Sequence, residues 1–147
     1  MKIHKLSHQS IKPYGKLIDR TSAKEQKDGN GWGFVIRVRS KGWRIAYLVL
    51  RNRSFKRLEC HDSPETFEPV KGRAVIALFT PAAVPGTKLT KKWCQAPKLK
   101  MKFFHLNKPI ILNKGVWHAL YTRTKESHIK IVENSSLRTI KLPGPQN

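Results

Sequence analysis

The chain has 147 residues, of which 30 are Lys or Arg and 9 are Asp or Glu, a formal net charge of +21. At this length a single domain spanning 1–147 is expected, able to bury ~70% of its unfolded surface without a disulfide or a structural metal. A hydrophobic content of 39% excludes a disordered basic arm, two cysteines exclude a disulfide framework, and no apolar run approaches the ~18 residues of a membrane-spanning helix.

Residues 1–7 are basic without an apolar stretch, so no secretory leader is expected and a cytoplasmic setting follows. Helical spacing is conceivable within 7–18, up to Tyr14-Gly15, and 21–31 is polar and loop-like. After it come short runs rich in β-branched and aromatic residues, at 32–39, 43–50, 54–60, 73–79, 100–106, 109–112, 116–122 and 128–132. Turn residues separate them: Lys41-Gly42, Asn52, Pro64, Gly72, Asn107-Lys108 and Asn113-Lys114-Gly115. No helical pattern alternates with these strands, which argues against a doubly wound parallel sheet and for a sandwich, jelly roll or barrel. The Pro- and Lys-rich stretch 81–97 reads as a long loop at one mouth, and 142–147, with Pro143, Gly144 and Pro145, as a frayed tail.

Two features bear on a polyanion partner. Lys and Arg recur along the whole chain, densest at 51–57 (Arg51, Arg53, Lys56, Arg57) and 88–102, but in no continuous basic helix or arm. The run Gly31-Trp32-Gly33-Phe34-Val35-Ile36-Arg37 is similar to the aromatic strand of RNA-recognition domains. It lacks the leading basic residue and the last aromatic, and its alternation equally describes an ordinary buried strand. A noncatalytic basic barrel binding nucleic acid or another polyanion is therefore the alternative rather than the favoured reading.

The acids are more informative than the bases. Four of the nine fall within ten residues (Glu59, Asp62, Glu65 and Glu68), with His61 among them. If 58–61 continues a strand, Glu59 and His61 project to one side and Leu58 and Cys60 to the other, so that Cys60 is a buried apolar residue. A turn at Pro64 can bring Glu65 back beside them, and Gly72 permits a tight bend before the next strand. Downstream, Asn113-Lys114-Gly115-Val116-Trp117-His118 is a turn followed by an inward His at the start of a strand. Cys94 lies in the basic loop with no His nearby to make it a nucleophile.

This pair of blocks resembles the two motifs of the cupin superfamily. Glu59 stands where the first motif usually has a His, followed by His61, Glu65 and Gly72, and Gly115 and His118 match the second motif. Within the superfamily the chain is similar to the ureidoglycolate lyase family. The likeness rests on Glu59-Cys60-His61, on Glu65 to Gly72, on Gly115-Val116-Trp117-His118, and on Tyr14-Gly15-Lys16-Leu17-Ile18 near the start. It departs from the family where Cys60 replaces an Arg, Glu65 stands near a Gln at shorter spacing, Lys114 replaces an Arg and Asn113 a His.

The resemblance implies a mainly β, cupin-type jelly-roll barrel with a short N-terminal segment. It implies a carbon–nitrogen lyase of purine (allantoin) catabolism that cleaves ureidoglycolate, or a related small ureido or hydroxy acid, to glyoxylate and urea. Homodimerisation through edge strands is implied as well. Glu59, His61, Glu65 and His118 are then the candidate catalytic residues, and two chemistries remain open. In one, all four hold a divalent Mn, Fe, Ni or Zn ion that stabilises negative charge on substrate oxygen. In the other no metal is present, and the mutual repulsion of Glu59 and Glu65 separates a general acid from a general base. Lys114 matches the family position that meets the substrate carboxylate. Lys71 and Arg73 are further candidates for that anion, and Trp117 for the pocket wall.

Overall fold

The computed structural model describes residues 1–19, 21–22, 24–25, 33–36, 42–79, 101–135 and 138–146. Thirteen strands and one short helix follow in chain order: β1 (Ile3–His4), α1 (His8–Ile11), β2 (Gly15–Leu17), β3 (Lys24–Glu25), β4 (Gly33–Phe34), β5 (Trp43–Leu50), β6 (Phe55–Cys60), β7 (Glu65–Lys71), β8 (Ala74–Phe79), β9 (Met101–Leu106), β10 (Ile110–Leu112), β11 (Trp117–Thr122), β12 (Ser127–Asn134) and β13 (Arg138–Gln146).

The helix is one turn because local chemistry starts and stops it there. Ser7 caps it, its hydroxyl accepting from the Ser10 amide while the Ser10 hydroxyl accepts from the Ser7 amide. Pro13 lacks the amide a further turn would need. Strand β2 follows at once, so the helical spacing conceivable over 7–18 is realised in its first third alone.

The long strands form two sheets. One has six strands in the order β1-β9-β8-β11-β6-β13, the other five in the order β2-β10-β7-β12-β5, and β3 and β4 make a separate hairpin. All pairings are antiparallel except β1 with β9. The mainly β expectation holds, as two sheets packed on each other in the manner of a β-sandwich.

Alternation along the strands decides what faces the inter-sheet space. From the five-stranded sheet come Leu50, Phe67, Ile110, Leu112, Ile129 and Ile131, and from the six-stranded sheet Ile76, Leu78 and Phe104, in one buried cluster. The opposite face of the six-stranded sheet carries a second buried cluster that includes Leu58, Cys60, Val75, Ala77, Trp117, Ala119 and Tyr121. Strand β8 contributes to both, which is why Ala74–Phe79 reads as an unbroken apolar run.

Two elements differ from the sequence reading. The sequence predicts a turn at Pro64 that returns Glu65 beside His61 and no strand over 65–71, where β7 forms. Its pairing with β12 shifts register opposite Pro69, where the missing amide interrupts the ladder. The expected frayed tail is also replaced: β13 runs to Gln146, with an irregularity between Lys141 and Gln146 that spans Pro143-Gly144-Pro145. Half of the 32–39 run, Trp32 and residues 37–39, and the whole 81–97 loop with Cys94 lie outside the described residues. No helix among the described residues is long and apolar enough to cross a membrane.

Candidate metal centre between the sheets

The two sequence blocks meet through a backbone hydrogen bond. Gly115 donates its amide to the His61 carbonyl at 2.8 Å. It can do so because Asn113-Lys114-Gly115 turns sharply with Gly115 at φ 78°, a left-handed conformation that suits glycine. Asn113 in turn donates to the Tyr14 carbonyl at 2.7 Å, which ties the turn to the N-terminal segment. On the other side Asn134 donates Nδ2 to Asp62 Oδ1 at 2.9 Å and pins the 61–64 turn to the end of β12.

These ties set three side chains face to face. His61 follows β6, His118 is the second residue of β11, and Glu65 opens β7 in the other sheet. One ligand atom from each of His61, Glu65 and His118 can be chosen so that all lie within 4.8 Å of one another. All three residues are buried, with His61 4%, Glu65 4% and His118 3% exposed. Glu65 Oε2 lies 3.2 Å from His118 Nε2 and 3.8 Å from His61 Nε2. The two imidazoles are nearly parallel, 19° apart, and Phe67 meets the His118 ring edge-on.

Proximity here is not hydrogen bonding. Both ring nitrogens of His61 and Oε2 of Glu65 are buried without a hydrogen-bond partner among the described residues. Buried polar atoms left this way cost roughly 1–3 kcal/mol each, so a cluster of them marks a place where something else is meant to bind. His118 shows which of its atoms is free to bind. Its Nδ1 donates to the Val116 carbonyl at 3.1 Å, so Nε2 carries the lone pair turned toward Glu65. Burial holds the His118 ring neutral, its pKa lowered to about 4, with the backbone hydrogen bond opposing the shift. Two imidazoles and a carboxylate, buried and converging, fit a divalent ion, and three protein ligands leave positions open for substrate.

A further acid, which the sequence reading did not name, belongs to the site. Glu133 Oε2 is 3.2 Å from His61 Nε2, and Glu133 Oε1 accepts from Arg44 Nε at 2.8 Å. Burial pushes the Glu65 carboxyl up to about 9, with Glu133 and then Glu59 raising it further and Arg44 opposing. Without a cation, Glu65 therefore holds its proton at neutral pH. Glu133 escaped notice because the strand was ended at Val132. The signal was present: Ile129, Ile131 and Glu133 share one face of β12, so the acid continues the inward row.

The site forms one end of a cavity of about 690 Å³ between the sheets. Apolar side chains wall it, among them Ala46, Leu48, Leu50, Phe67, Leu120 and Ile131. Glu59, Glu65, His118 and Glu133 all reach it, as do Arg53, Lys56 and Arg57.

The other expected residues divide. Glu59 lies directly across from His118 in the β6–β11 ladder and lines the cavity, yet it is exposed and stands outside the three-residue ligand group. Its place beside the buried centre is taken by Glu133. Trp117 does not wall the cavity: alternation turns it to the opposite face of its sheet, into the second apolar cluster, as it does Cys60. Lys71 closes β7, six residues or ~20 Å along the strand from Glu65, and Arg73 follows it in the turn before β8. There Lys71 pairs with Glu126 and the Arg73 amide donates to Thr124 Oγ1. Lys114 is exposed at the tip of its turn. The cations that do reach the cavity come from the basic stretch 51–57, which the sequence presented as charge without a place.

No family model matches the chain, and no curated protein is significantly similar to it.

Proposed function

We propose that the chain is a metal-dependent enzyme of the cupin jelly-roll type that cleaves a carbon–nitrogen bond in a small hydroxy acid, as ureidoglycolate lyases do. The observation that carries this reading is the buried convergence of His61, Glu65 and His118 with three of their polar atoms left unpartnered. His61, Glu65 and His118 would hold the ion, which when bound supplies Lewis-acid stabilisation of negative charge on substrate oxygen. The order of the sheets and the position of the site between them support the jelly-roll assignment.

The remaining residues have defined tasks. Cleavage of ureidoglycolate requires a base to take the carbinol proton; the carbon–oxygen bond becomes a carbonyl as the carbon–nitrogen bond breaks. The electron pair leaves with the urea nitrogen, which an acid must protonate. Glu133 and Glu59 are the carboxylates that reach the cavity without belonging to the ligand group, and they carry these protons. Cytoplasmic residence and a homodimer complete the reading, and sedimentation tests the dimer.

Purified protein reconstituted in turn with Mn, Fe, Ni and Zn is expected to release urea and glyoxylate from ureidoglycolate. Metal uptake without turnover on any of the four would remove the substrate and keep the metal site. No metal uptake would remove the enzyme reading as stated.

One observation favours a second reading, binding of a polyanion. Trp43, Ile45 and Tyr47 alternate on the outward face of edge strand β5 and are 41%, 82% and 55% exposed in a chain of charge +21. Stacking on such rings with phosphate neutralisation predicts binding to single-stranded nucleic acid that weakens steeply with salt. A flat salt response overturns it.

A further inference from the structure

A compact ureido acid at the ligand group leaves most of the cavity unfilled. A molecule of about nine non-hydrogen atoms fills a small part of 690 Å³, a space in the range that encloses drug-sized ligands. Its inner walls are aliphatic: Ala46, Leu48 and Leu50 from β5 and Ile131 of the adjacent β12 lie on one side and Leu120 of β11 on the other. Glu65, His118 and Glu133 line it from the ligand group, Glu59 stands across from His118, and Arg53, Lys56 and Arg57 reach it from the β5–β6 turn and the start of β6. Lys56 precedes Glu59 by three residues, ~10 Å along the strand.

Four other cations are ion-paired. Arg44, Arg51, Lys71 and Lys130 each have a glutamate oxygen within 2.8, 3.4, 3.8 and 3.6 Å. Lys56 and Arg57 have no ion-pair partner among the described residues, and Arg53 donates Nη1 to the Arg123 carbonyl at 3.2 Å. Unneutralised cations at the mouth of an apolar cavity call for an anion attached to an apolar body.

We infer that the cavity takes an elongated carboxylic acid whose carboxylate is held by Arg53, Lys56 and Arg57 and whose aliphatic or aromatic body lies along Leu48, Leu50, Leu120 and Ile131. The far end of that body is thereby presented to the Glu65–His118 end. The inference goes beyond the enzyme reading above, since it concerns what the rest of the cavity holds, and it rests on that reading only for which end reacts.

The test is isothermal titration of the full-length, metal-free protein with straight-chain carboxylates from butanoate to decanoate. Affinity is expected to rise about threefold to fourfold per added methylene until the chain fills the cavity, since each buried methylene contributes ~0.8 kcal/mol. Octan-1-ol is expected to bind at least tenfold more weakly than octanoate. The double variant Lys56→Glu, Arg57→Glu is expected to lose at least tenfold for octanoate, and Ala46→Trp, which takes up part of the cavity, to move the best chain length downward. Circular dichroism and uptake of Zn(II) show whether these variants keep the fold and the metal centre. Affinity independent of chain length, or octanoate binding unchanged in both variants, overturns the inference. The enzyme reading fails separately, on metal uptake and turnover: octanoate binding with no metal uptake keeps the cavity assignment and removes the metal centre, and the reverse result does the opposite.

Discussion

Glu65 Oε2 and His118 Nε2 face each other at 3.2 Å from opposite sheets, 53 positions apart in the chain. Neither atom has a conventional hydrogen-bond geometry to the other, although both are buried. The contact is therefore a gap between two ligand atoms rather than a structural ion pair.

If so, removing either atom removes the ion before it removes the fold. Glu65→Gln and His118→Ala are each expected to lower divalent-metal affinity by more than about 100-fold, since loss of a supporting partner alone costs ~10- to 100-fold. Calorimetry with Zn(II) or Mn(II), with circular dichroism as the fold control, checks this. Wild-type affinity in both variants would place the metal elsewhere.

Glu133 separates positioning from ligation. It raises the proton affinity of Glu65 and anchors Arg44. Glu133→Gln is expected to bring the Glu65 carboxyl down from about 9 and to weaken metal binding by ~10-fold without abolishing it. Carbon-13 NMR of the Glu65 carboxyl across a pH titration reads the first effect. An unchanged titration would show that Glu133 does not act on Glu65.

The pH dependence of stability follows from two opposed shifts. The Glu65 carboxyl is raised from 4.5 to about 9 in the folded protein. Its contribution is full below pH 4.5 and is lost as pH rises through 9, because the unfolded chain releases the proton first. The His118 ring is lowered from 6.5 to about 4, so its contribution is full above pH 6.5 and is lost as pH falls through 4. Metal-free protein is thus expected to lose melting temperature on both sides, and Glu65→Gln to remove the alkaline loss alone. Bound metal, which takes the place of the Glu65 proton, is expected to raise the melting temperature more at pH 8 than at pH 6. Melting curves with and without Zn(II) measure it; parallel curves at both pH values would contradict it.

The turn that joins the two blocks can be tested through its glycine. An added Cβ at Gly115 meets nothing within 4 Å, so Gly115→Ala has the left-handed backbone as its one cost, ~1–2 kcal/mol. At Gly15 the Cβ would lie 1.9 Å from the Ile111 carbonyl oxygen, which breaks the β2–β10 pairing, so Gly15→Ala is expected to destabilise far more. Urea denaturation ranks the two. Equal effects would mean that the close approach of β2 to β10 relaxes freely.

The strand run and the chemistry of the centre were legible in the chain because both depend on local spacing. Runs of β-branched and aromatic residues marked strands β5, β6, β8, β9, β10, β11 and much of β12, and the i, i+2 and i+6 spacing of Glu59, His61 and Glu65 marked the acidic block. Alternation also placed Cys60 away from the site, where it is found. Long-range pairing decided the rest. Glu59 faces the same cavity as His118 but remains exposed, since how deep a side chain lies depends on which strand closes over it. Glu133 enters because β12 pairs with β7 next to Glu65, a relation that no spacing between residues 65 and 133 encodes. The charge of +21 could be counted in the chain. That Arg53, Lys56 and Arg57 line the cavity while Lys71 and Arg73 lie at the other end of the sheet was decided by tertiary structure, because register and hairpin position, not composition, determine which cations face a shared space.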